Sequence, residues 1–410
     1  VRFVARSATV IDLADFEQVG PPPASPAGSL SVVDFGADPT GAKDSGTAFQ
    51  SAFDAGAAQH RTVWIPPGTF SVNRHLQVDG VTVQGAGPWH SVLHGNGVGI
   101  FGRAAPSPST NVHLSDFAIF GEVKDRVDSI PLNGIGGAFG GGSTISNLWI
   151  QHEKVGMWLD GPFDGLTITG CRIQDMTADG INLHQGVSHV TIEKTLVRNT
   201  GDDGIALWSE EGRLGAAGAD HDNIVRFATV ELPILANGVA FYGGRDNGVT
   251  DSLIADTLVD GGGIHVGSRF SSTPLAGTTT IARNTLVRAG AYQTTTQSQG
   301  GALWFWADQA ALSGNVEVSD TVLRDSTFAA VQFIGTSVTN VHLLRDRIEH
   351  PGTFGLQVQA NGSLSVANVT ATHVGARRGT YICPTANKFK IVGTVKGLKG
   401  RYCGPFPKPR

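Results

Sequence analysis

The feature that most constrains the fold is a repeat of short apolar segments whose spacing lies in the low twenties. One alternating set after residue 80 includes VTVQG (81), VHLSDFAIFG (112), GLTITGCRIQD (165), SHVTIEKTLVRN (188) and SLSVANVT (363). A second, mostly glycine-led set includes DGINLH (179), DGIALW (203), NGVAFY (237) and GALWFW (301). Strands of four to six residues at this period, with no helices between them, predict an all-β, right-handed parallel β-helix. Leucine-rich repeats share the period but need a regular Leu/Asn pattern that is missing here.

The residues before the repeats predict a cap. Residues 31–57 are typical of a strand, a turn-rich loop and a helix that begins near Asp44, with Phe49 and Phe53 on one face. The open end of a solenoid exposes an unpaired strand edge, so we expect this helix to cover the N-terminal end.

Composition and termini suggest a division of the chain into three parts. We expect residues 1–30 to be an extension or the remnant of a preceding module with a Pro/Gly/Ser linker, residues 31–375 the β-helix domain, and residues 376–410 a C-terminal tail. The chain begins with neither Met nor a signal-peptide pattern, which predicts a mature, secreted piece. Cys383 and Cys403 could form a disulfide, which suits an exported protein, or remain thiols; Cys171 lies alone in the repeats.

Charge and hydropathy exclude two classes of partner. The net charge is −5 and no basic run of the kind that binds nucleic acid is present. No stretch approaches 18 uninterrupted apolar residues, so we expect no membrane span. A capped solenoid is expected to be a monomer.

Alignment of the glycine-led strands predicts a row of side chains across neighbouring coils. Alternate residues of a strand face opposite sides, and neighbouring coils lie about 4.8 Å apart. The outward row would contain Asp160, His184, Trp208 and Tyr242, with Trp306 prolonging it and Trp158 beside it. Exposed rings in such a row would give flat apolar faces for sugar rings, although each ring could instead merely cover the sheet.

The same alignment brings three acidic residues together. Asp179 and Asp203 occupy equivalent positions of adjacent coils, 24 residues apart, and Asp202 precedes Asp203 directly. Crowded carboxylates raise at least one pKa, so that one group can hold a proton while another stays ionised. This predicts a general acid and a general base for glycosidic cleavage. The alternatives are that Asp-Gly simply marks a turn into each strand, or that the acids hold a cation.

Two further residues are expected to border the cleft. His221 lies on the long coil after the acid pair, and Arg245 follows Tyr242. Each could equally be an ordinary loop residue. No cofactor is expected. A structural calcium ion would suit an exported β-helix, but no EF-hand pattern is present and the sequence indicates no ligands.

Longer stretches resemble a known family. The segments DFGADPTGAKDSGTAFQSAF and VWIPPGTF resemble the N-terminal cap of the pectate-lyase-like β-helix superfamily. VTVQGAGPWHSVLHG, STISNLWIQHEKVGMWLDGP and TADGINLHQGVSHVTIEKTLVRNTGDDGIALWS resemble the catalytic module of the α-1,3-glucanases (mutanases) of glycoside hydrolase family 87. The resemblance covers roughly residues 31 to 375.

The resemblance implies endo-hydrolysis of α-1,3-glucan with inversion. It would make Asp202 the general acid, while Asp179 and Asp203 hold and activate the water. The alternatives are a hydrolase of another polysaccharide (nigeran, dextran or polygalacturonate), a calcium-dependent lyase, or a non-catalytic carbohydrate-binding β-helix. A polygalacturonase would need basic residues around its cleft, whereas the expected row here is acidic and aromatic.

Overall fold

The computed structural model describes residues 17–294, 297–383, 385 and 388–409. Most of the predicted N-terminal extension therefore lies outside the described residues. The chain winds into a parallel β-helix whose coils contribute strands to three sheets, which we call A, B and C. The predicted fold class is confirmed.

The strands of the three sheets are short and follow one another in parallel register. Sheet A contains His75–Gln77, Gly99–Phe101, Asn133–Gly137, Val155–Asp160, Ile181–His184, Ile205–Trp208, Val239–Tyr242, Ile264–Gly267, Leu303–Ala307, Thr380–Ile382 and Arg401–Tyr402. Sheet B contains Leu30–Ser31, Val63–Ile65, Thr82–Gly85, His113–Ser115, Ser143–Ser146, Phe163–Thr169, Val187–Glu193, Ile224–Arg226, Gly248–Thr250, Thr278–Ala282, Asn315–Ser319 and Phe389–Val392. Two long strands run through both sheets, Val331–Leu344 and Leu356–Ala367.

The third sheet closes the coil. Sheet C contains Gly68–Ser71, Ser91–His94, Ala118–Phe120, Trp149–Gln151, Arg172–Met176, Leu196–Thr200, Thr229–Pro233, Leu253–Ala255, Thr285–Val287, Val322–Arg324, Arg347–Glu349 and Thr370–Thr372. Two small pairs lie outside the sheets: Ser109–Thr110 with Phe139–Gly140, and the antiparallel Tyr292–Gln293 with Ser298–Gln299.

The core consists of apolar stacks inside the coils. In sheet A, Ile181 pairs with Ile205 and Ile205 with Val239, and all three are fully buried. Alternation along each strand sends one residue inward and the next outward, so the same register that builds the core also aligns the outward side chains.

A helix, α1 (Gly46–Gln59), covers the N-terminal end of the solenoid as predicted. Phe49 and Phe53 are buried, and the ring of Phe49 packs edge-on against that of Phe70 at 5.3 Å. The helix ends at Gln59 and is followed by His60, whose backbone is left-handed (φ 51°). Two short 3₁₀ helices, Val32–Phe35 and Gly215–Gly218, lie elsewhere.

The C-terminal tail continues the sheets. Residues 380–402 add strands to sheets A and B, and Cys383 is bonded to Cys403, with their Cα atoms 4.9 Å apart. Cys171 is a buried free thiol. The boundary between residues 375 and 376 stays a prediction. None of the helices among the described residues has the length and apolar character to cross a membrane.

Candidate active site

The structure brings the three predicted aspartates together at the start of two neighbouring sheet A strands. Ile181 pairs with Ile205, so Asp179 and Asp203 stand at equivalent positions, and the amide of Gly180 donates to the carbonyl of Asp203 at 3.0 Å. One carboxylate oxygen from each of Asp179, Asp202 and Asp203 lies within 4.8 Å of the others. The predicted coil register is confirmed.

Two of the three carboxylates are buried. Burial, together with repulsion from Asp202 and Asp203, raises the pKa of Asp179 well above its usual range, although the Asn182 amide donates to it at 2.9 Å. Burial and repulsion from Asp202 likewise raise the pKa of Asp203 to about 7.

Asp203 is also held by three donors. Its Oδ1 accepts from the backbone and side-chain nitrogens of Asn237 at 2.7 and 2.8 Å, and its Oδ2 accepts from the Tyr242 hydroxyl at 2.9 Å. Such bonds favour the charged form, so they oppose the effect of burial. Two neighbouring acids with raised pKa values can share protons near neutrality, as acid–base catalysis requires.

The third carboxylate faces the solvent and carries an ion pair. Asp202 Oδ2 lies 2.6 Å from Nη1 of Arg126, and the Asp202 side chain is 25% exposed. Arg126 Nε also lies 2.8 Å from Asp128. Burial alone would lower the pKa of Arg126, but its bonds to Asp128 and Asp202 outweigh burial and raise it. The cluster therefore combines two buried acids with one accessible acid that has a cation beside it.

The outward row has the predicted register. Asp160 pairs with His184, His184 with Trp208 and Trp208 with Tyr242, and the row reaches Trp306 through Gly267. This row crosses several coils of sheet A, and the Tyr242 hydroxyl joins it to Asp203.

One end of the row forms a partly open polar and aromatic cluster. The His184 ring lies 4.7 Å from Trp208 and 5.2 Å from Trp158. Its Nδ1 contacts Asp160 at 2.6 Å, and its Nε2 contacts Glu210 at 3.2 Å. Two carboxylates therefore fix the imidazole beside the indole rings.

The other end of the row is covered, which corrects one expectation. Tyr242 is only 5% exposed and Trp306 only 6%. The turn at residues 269–270 lies over them: the Arg269 guanidinium sits 3.9 Å from the centre of the Trp306 ring, and Phe270 packs edge-on against Tyr242. Tyr242 therefore acts on Asp203 through its hydroxyl and does not present an open face to sugar.

His221 and Arg245 lie in a different row. His221 pairs with Ser188 and with Arg245 near the start of the sheet B strands, and both His221 and Arg245 contact Asp222, at 2.7 and 3.7 Å. The structure does not join them to the three aspartates by any hydrogen bond or ion pair among the described residues. A substrate contact for either stays a prediction.

Sequence reasoning missed several residues of the site. Asn237 precedes a glycine-led strand, exactly as Asp179 and Asp203 do, so the register could have revealed it. Glu210, Arg126 and Phe270 lie in loops, where the repeat gives no signal. Phe270 is 47% exposed, and its carbonyl accepts from Trp208 Nε1 at 2.9 Å.

A comparison with models of protein families finds a match over most of the chain. A family model described as "Alpha-1,3-glucanase catalytic domain D2" matches residues 40–376. No curated protein matches the chain.

Solved structures agree with the family model. The catalytic unit of a thermostable GH87 α-1,3-glucanase from Streptomyces thermodiastaticus strain HF3-3 is 38% identical, with a TM-score of 0.88 over 96% of this chain and 74% of that one. The Agl-KA catalytic domain is 24% identical (TM-score 0.80), and a GH87 α-1,3-glucanase catalytic domain in complex with nigerose is 23% identical (TM-score 0.72). Each of these two matches covers 92% of this chain and 70% of the chain of the solved structure. At that identity each supports the fold alone.

Proposed function

Because the chain belongs to glycoside hydrolase family 87 as an α-1,3-glucanase catalytic domain, we propose that its three aspartates cleave α-1,3-glucosidic bonds inside glucan chains with inversion. The observation that carries this proposal is the convergence of Asp179, Asp202 and Asp203 within 4.8 Å at the mouth of sheet A. The substrate is an α-1,3-glucan, and the partly open Trp158–His184–Trp208 cluster supplies apolar faces and hydrogen-bonding groups for its sugar rings.

We assign the roles from accessibility and hydrogen bonding. Asp202 is the most exposed of the three and is therefore placed to give a proton to the leaving oxygen. Asp179 and Asp203 together hold the attacking water, and one of them accepts its proton. Asn237 and Tyr242 fix the Asp203 carboxylate for that task.

The aspartate spacing supports this assignment. Three solved GH87 α-1,3-glucanase structures carry single Asp→Ala substitutions, at positions separated by 23 residues and then by one. Asp179, Asp202 and Asp203 have the same spacing. Two of those variants were solved with tetrasaccharides and one with nigerose.

Stereochemistry needs a direct test. Paired carboxyl groups of inverting glycosidases usually lie about 6.5–9.5 Å apart, whereas the 4.8 Å found here is the limit between one oxygen atom of each of the three acids. We favour inversion nevertheless, because a third acid lets two carboxylates hold the water between them. NMR of the first product should then show the β anomer; an initial α anomer would establish retention.

The decisive experiment compares the variants Asp202→Asn and Asp203→Asn with the wild-type protein. Each should lose release of reducing sugar from insoluble α-1,3-glucan by roughly 10³-fold or more, because each removes a proton-transfer group. Circular dichroism should show an intact β-helix. Parallel assays on nigeran, dextran and polygalacturonate separate the alternative substrates, and activity in both variants would refute the assignment.

We also propose that the protein is exported, is a monomer and needs no metal cofactor. An insoluble polymer cannot enter a cell, and the Cys383–Cys403 disulfide suits an oxidising compartment. The acid, the base and the water suffice for the chemistry, so no metal ion is required for hydrolysis.

A further inference from the structure

Two of the turns that lead from sheet A to sheet B are long enough to shape the surface beside the outward row. They span residues 209–223 and 268–277, whereas the same turn takes only residues 161–162 and 185–186 in the two coils before them. The turn of the coil between the two long ones, residues 243–247, is also short. The solenoid needs only a few residues at this position, so the additional ones are free to line the cleft.

The two long turns are joined over the coil between them. Glu210 and Ser272 form an antiparallel bridge. The Thr273 amide donates to the Ser209 carbonyl at 2.7 Å. The coil between them carries Tyr242, which explains why this side chain is buried although it belongs to the outward row.

The joined turns present an exposed ring in place of the buried one. Phe270 is 47% exposed, and its ring packs edge-on against the buried ring of Tyr242 at 5.3 Å. The Phe270 ring also lies 6.4 Å from that of Trp208, again edge-on. Because Trp208 belongs to the partly open cluster with Trp158 and His184, Phe270 extends that cluster along the axis of the solenoid.

Two contacts hold Phe270 in place in the free protein. Its carbonyl accepts from Trp208 Nε1 at 2.9 Å. The Arg269 guanidinium lies 4.6 Å from the centre of the Phe270 ring and 3.9 Å from that of the Trp306 ring. A ring that is already fixed loses little conformational freedom when a ligand binds to it, and this favours affinity.

The backbone at this position indicates that the ring has a purpose beyond the turn. Phe270 and Ser271 both have left-handed backbones, with φ of 55° and 53°. Among the described residues, no other two consecutive residues besides glycine share this conformation. Glycine would adopt it without the steric penalty that Cβ introduces, so a phenylalanine here is unfavourable for the turn itself. Such penalties are typical of ligand-binding positions.

This inference rests on the proposed function. We propose that Phe270 is a binding platform for a glucosyl residue of the α-1,3-glucan, on the side of the aspartates that faces the C-terminal coils. Its flat apolar ring buries the C–H face of the sugar. Glu210, on the adjoining turn, has a side chain that is 29% exposed and can accept hydrogen bonds from sugar hydroxyls.

This platform gives the glucan chain a path along the solenoid axis. Asp179 precedes the strand of His184, and Asp203 precedes the strand of Trp208. A chain that runs from the Trp158–His184–Trp208 cluster to Phe270 therefore crosses the coils that carry these aspartates. Substrates too short to span this path would not reach Phe270.

The test is kcat/KM on a series of α-1,3-gluco-oligosaccharides of increasing length. In the wild-type enzyme kcat/KM should rise with each glucosyl unit that reaches a binding residue, because remote binding energy contributes to catalysis. Phe270→Ala should remove the increment of one unit, so that kcat/KM on the longer substrates falls roughly five- to tenfold relative to the shortest. Phe270→Leu, which is apolar but not flat, should behave similarly, whereas Phe270→Tyr should retain the increment.

A matched control changes an exposed phenylalanine outside the cleft. Phe227 is 54% exposed and left-handed (φ 52°), and it lies at the turn between sheets B and C. Phe227→Ala should give the wild-type dependence on length.

Two outcomes would overturn the inference. If Phe270→Ala lowers kcat/KM by the same factor at every length, the ring only supports Tyr242 and Asp203. If its length dependence coincides with that of the wild-type enzyme, the ring binds no sugar; sedimentation velocity would then show whether it mediates contact with a second copy of the chain.

The proposed function fails separately, if the wild-type enzyme releases no sugar from α-1,3-glucan. Calorimetric binding of the same oligosaccharides to the Asp202→Asn variant needs no hydrolysis, so it tests Phe270 independently. Adding Phe270→Ala to that variant should weaken binding of the longer oligosaccharides roughly five- to tenfold. Unchanged binding would contradict the platform.

Discussion

Among the three acids, Asp203 accepts the most side-chain hydrogen bonds, and these bonds set the pH at which it ionises. Burial and Asp202 raise its pKa to about 7, while Asn237 and Tyr242 limit the rise. A base with this pKa is ionised in part of the molecules at neutrality and in few of them at pH 5. Activity that depends on ionised Asp203 should therefore fall as the pH drops below about 7.

The variant Tyr242→Phe tests the role of Asp203. It removes the 2.9 Å bond from the hydroxyl to Asp203 Oδ2, which favours the charged form, so the pKa of Asp203 should rise further. If Asp203 is the base, the acidic limb of kcat/KM moves to higher pH and activity at pH 6 falls by roughly tenfold. Movement of the alkaline limb instead would make Asp203 the acid. The fold should be retained, because the ring keeps its packing against Phe270.

The coil repeat can predict the site residues that lie at repeated positions, but it gives no signal for those that lie in irregular loops. The register of the coils alone places Asp179 beside Asp203, and it also places Asn237 at the equivalent position of the next coil. Arg126 and Phe270 reach the site from 76 and 62 residues away along the chain. Their positions depend on irregular loops. The loop that carries Arg126, for example, is held by Lys154 Nζ, which donates to the carbonyl oxygens of Val127, Asp128 and Ile130, and no local sequence pattern predicts such contacts.

At the level of the strand, many sheet A strands are preceded by glycine for a steric reason. A Cβ on Gly156, Gly180, Gly204 or Gly238 would lie 2.5–2.7 Å from the carbonyl oxygen of the equivalent residue in the next coil. At these four positions the coils approach too closely for a side chain, whereas the equivalent positions of later coils hold Ala302 and Ala330. This contact makes the glycine-led pattern a reliable signal of register, and it explains why the sequence predicted the coil so well.

The variant Gly204→Ala tests this close approach. The new methyl group would meet Val230 Cγ1 at 2.4 Å and the Gly238 carbonyl at 2.7 Å, so the protein should lose about 1–3 kcal/mol of stability. Activity should fall as well, because Asp203 is the preceding residue and must shift with the backbone. Thermal unfolding and reducing-sugar release measure the two effects. Gly20→Ala, where nothing lies within 4 Å, is the control and should change neither; equal stability of the two variants would contradict the steric argument.

At the scale of the whole molecule, the two ends of the solenoid differ in how well the sequence predicted them. The N-terminal cap is a 14-residue amphipathic helix with a clear pattern. The C-terminal end consists of strands of two to four residues, Thr380–Ile382, Phe389–Val392 and Arg401–Tyr402, which are too short for a periodicity to emerge. They belong to the solenoid because they pair with a preceding strand, and the cross-link between Cys383 and Cys403 holds the last coil.

Removal of this cross-link should separate stability from catalysis. The disulfide joins residues 20 apart, and closing a loop of that length stabilises a protein by about 3 kcal/mol through the unfolded state. The double variant Cys383→Ser/Cys403→Ser should therefore unfold at a lower temperature. Tyr381, next to the disulfide, lies six coils beyond the Ile205 strand in sheet A, roughly 30 Å from the aspartates. In a solenoid each coil packs only on its neighbours, so kcat and its pH profile at 25 °C should match the wild-type enzyme.

Cys171→Ser is the matched control, since it changes a thiol that forms no bridge. A shifted pH profile in the double variant would show that the C-terminal coils communicate with the acids, contrary to nearest-neighbour packing.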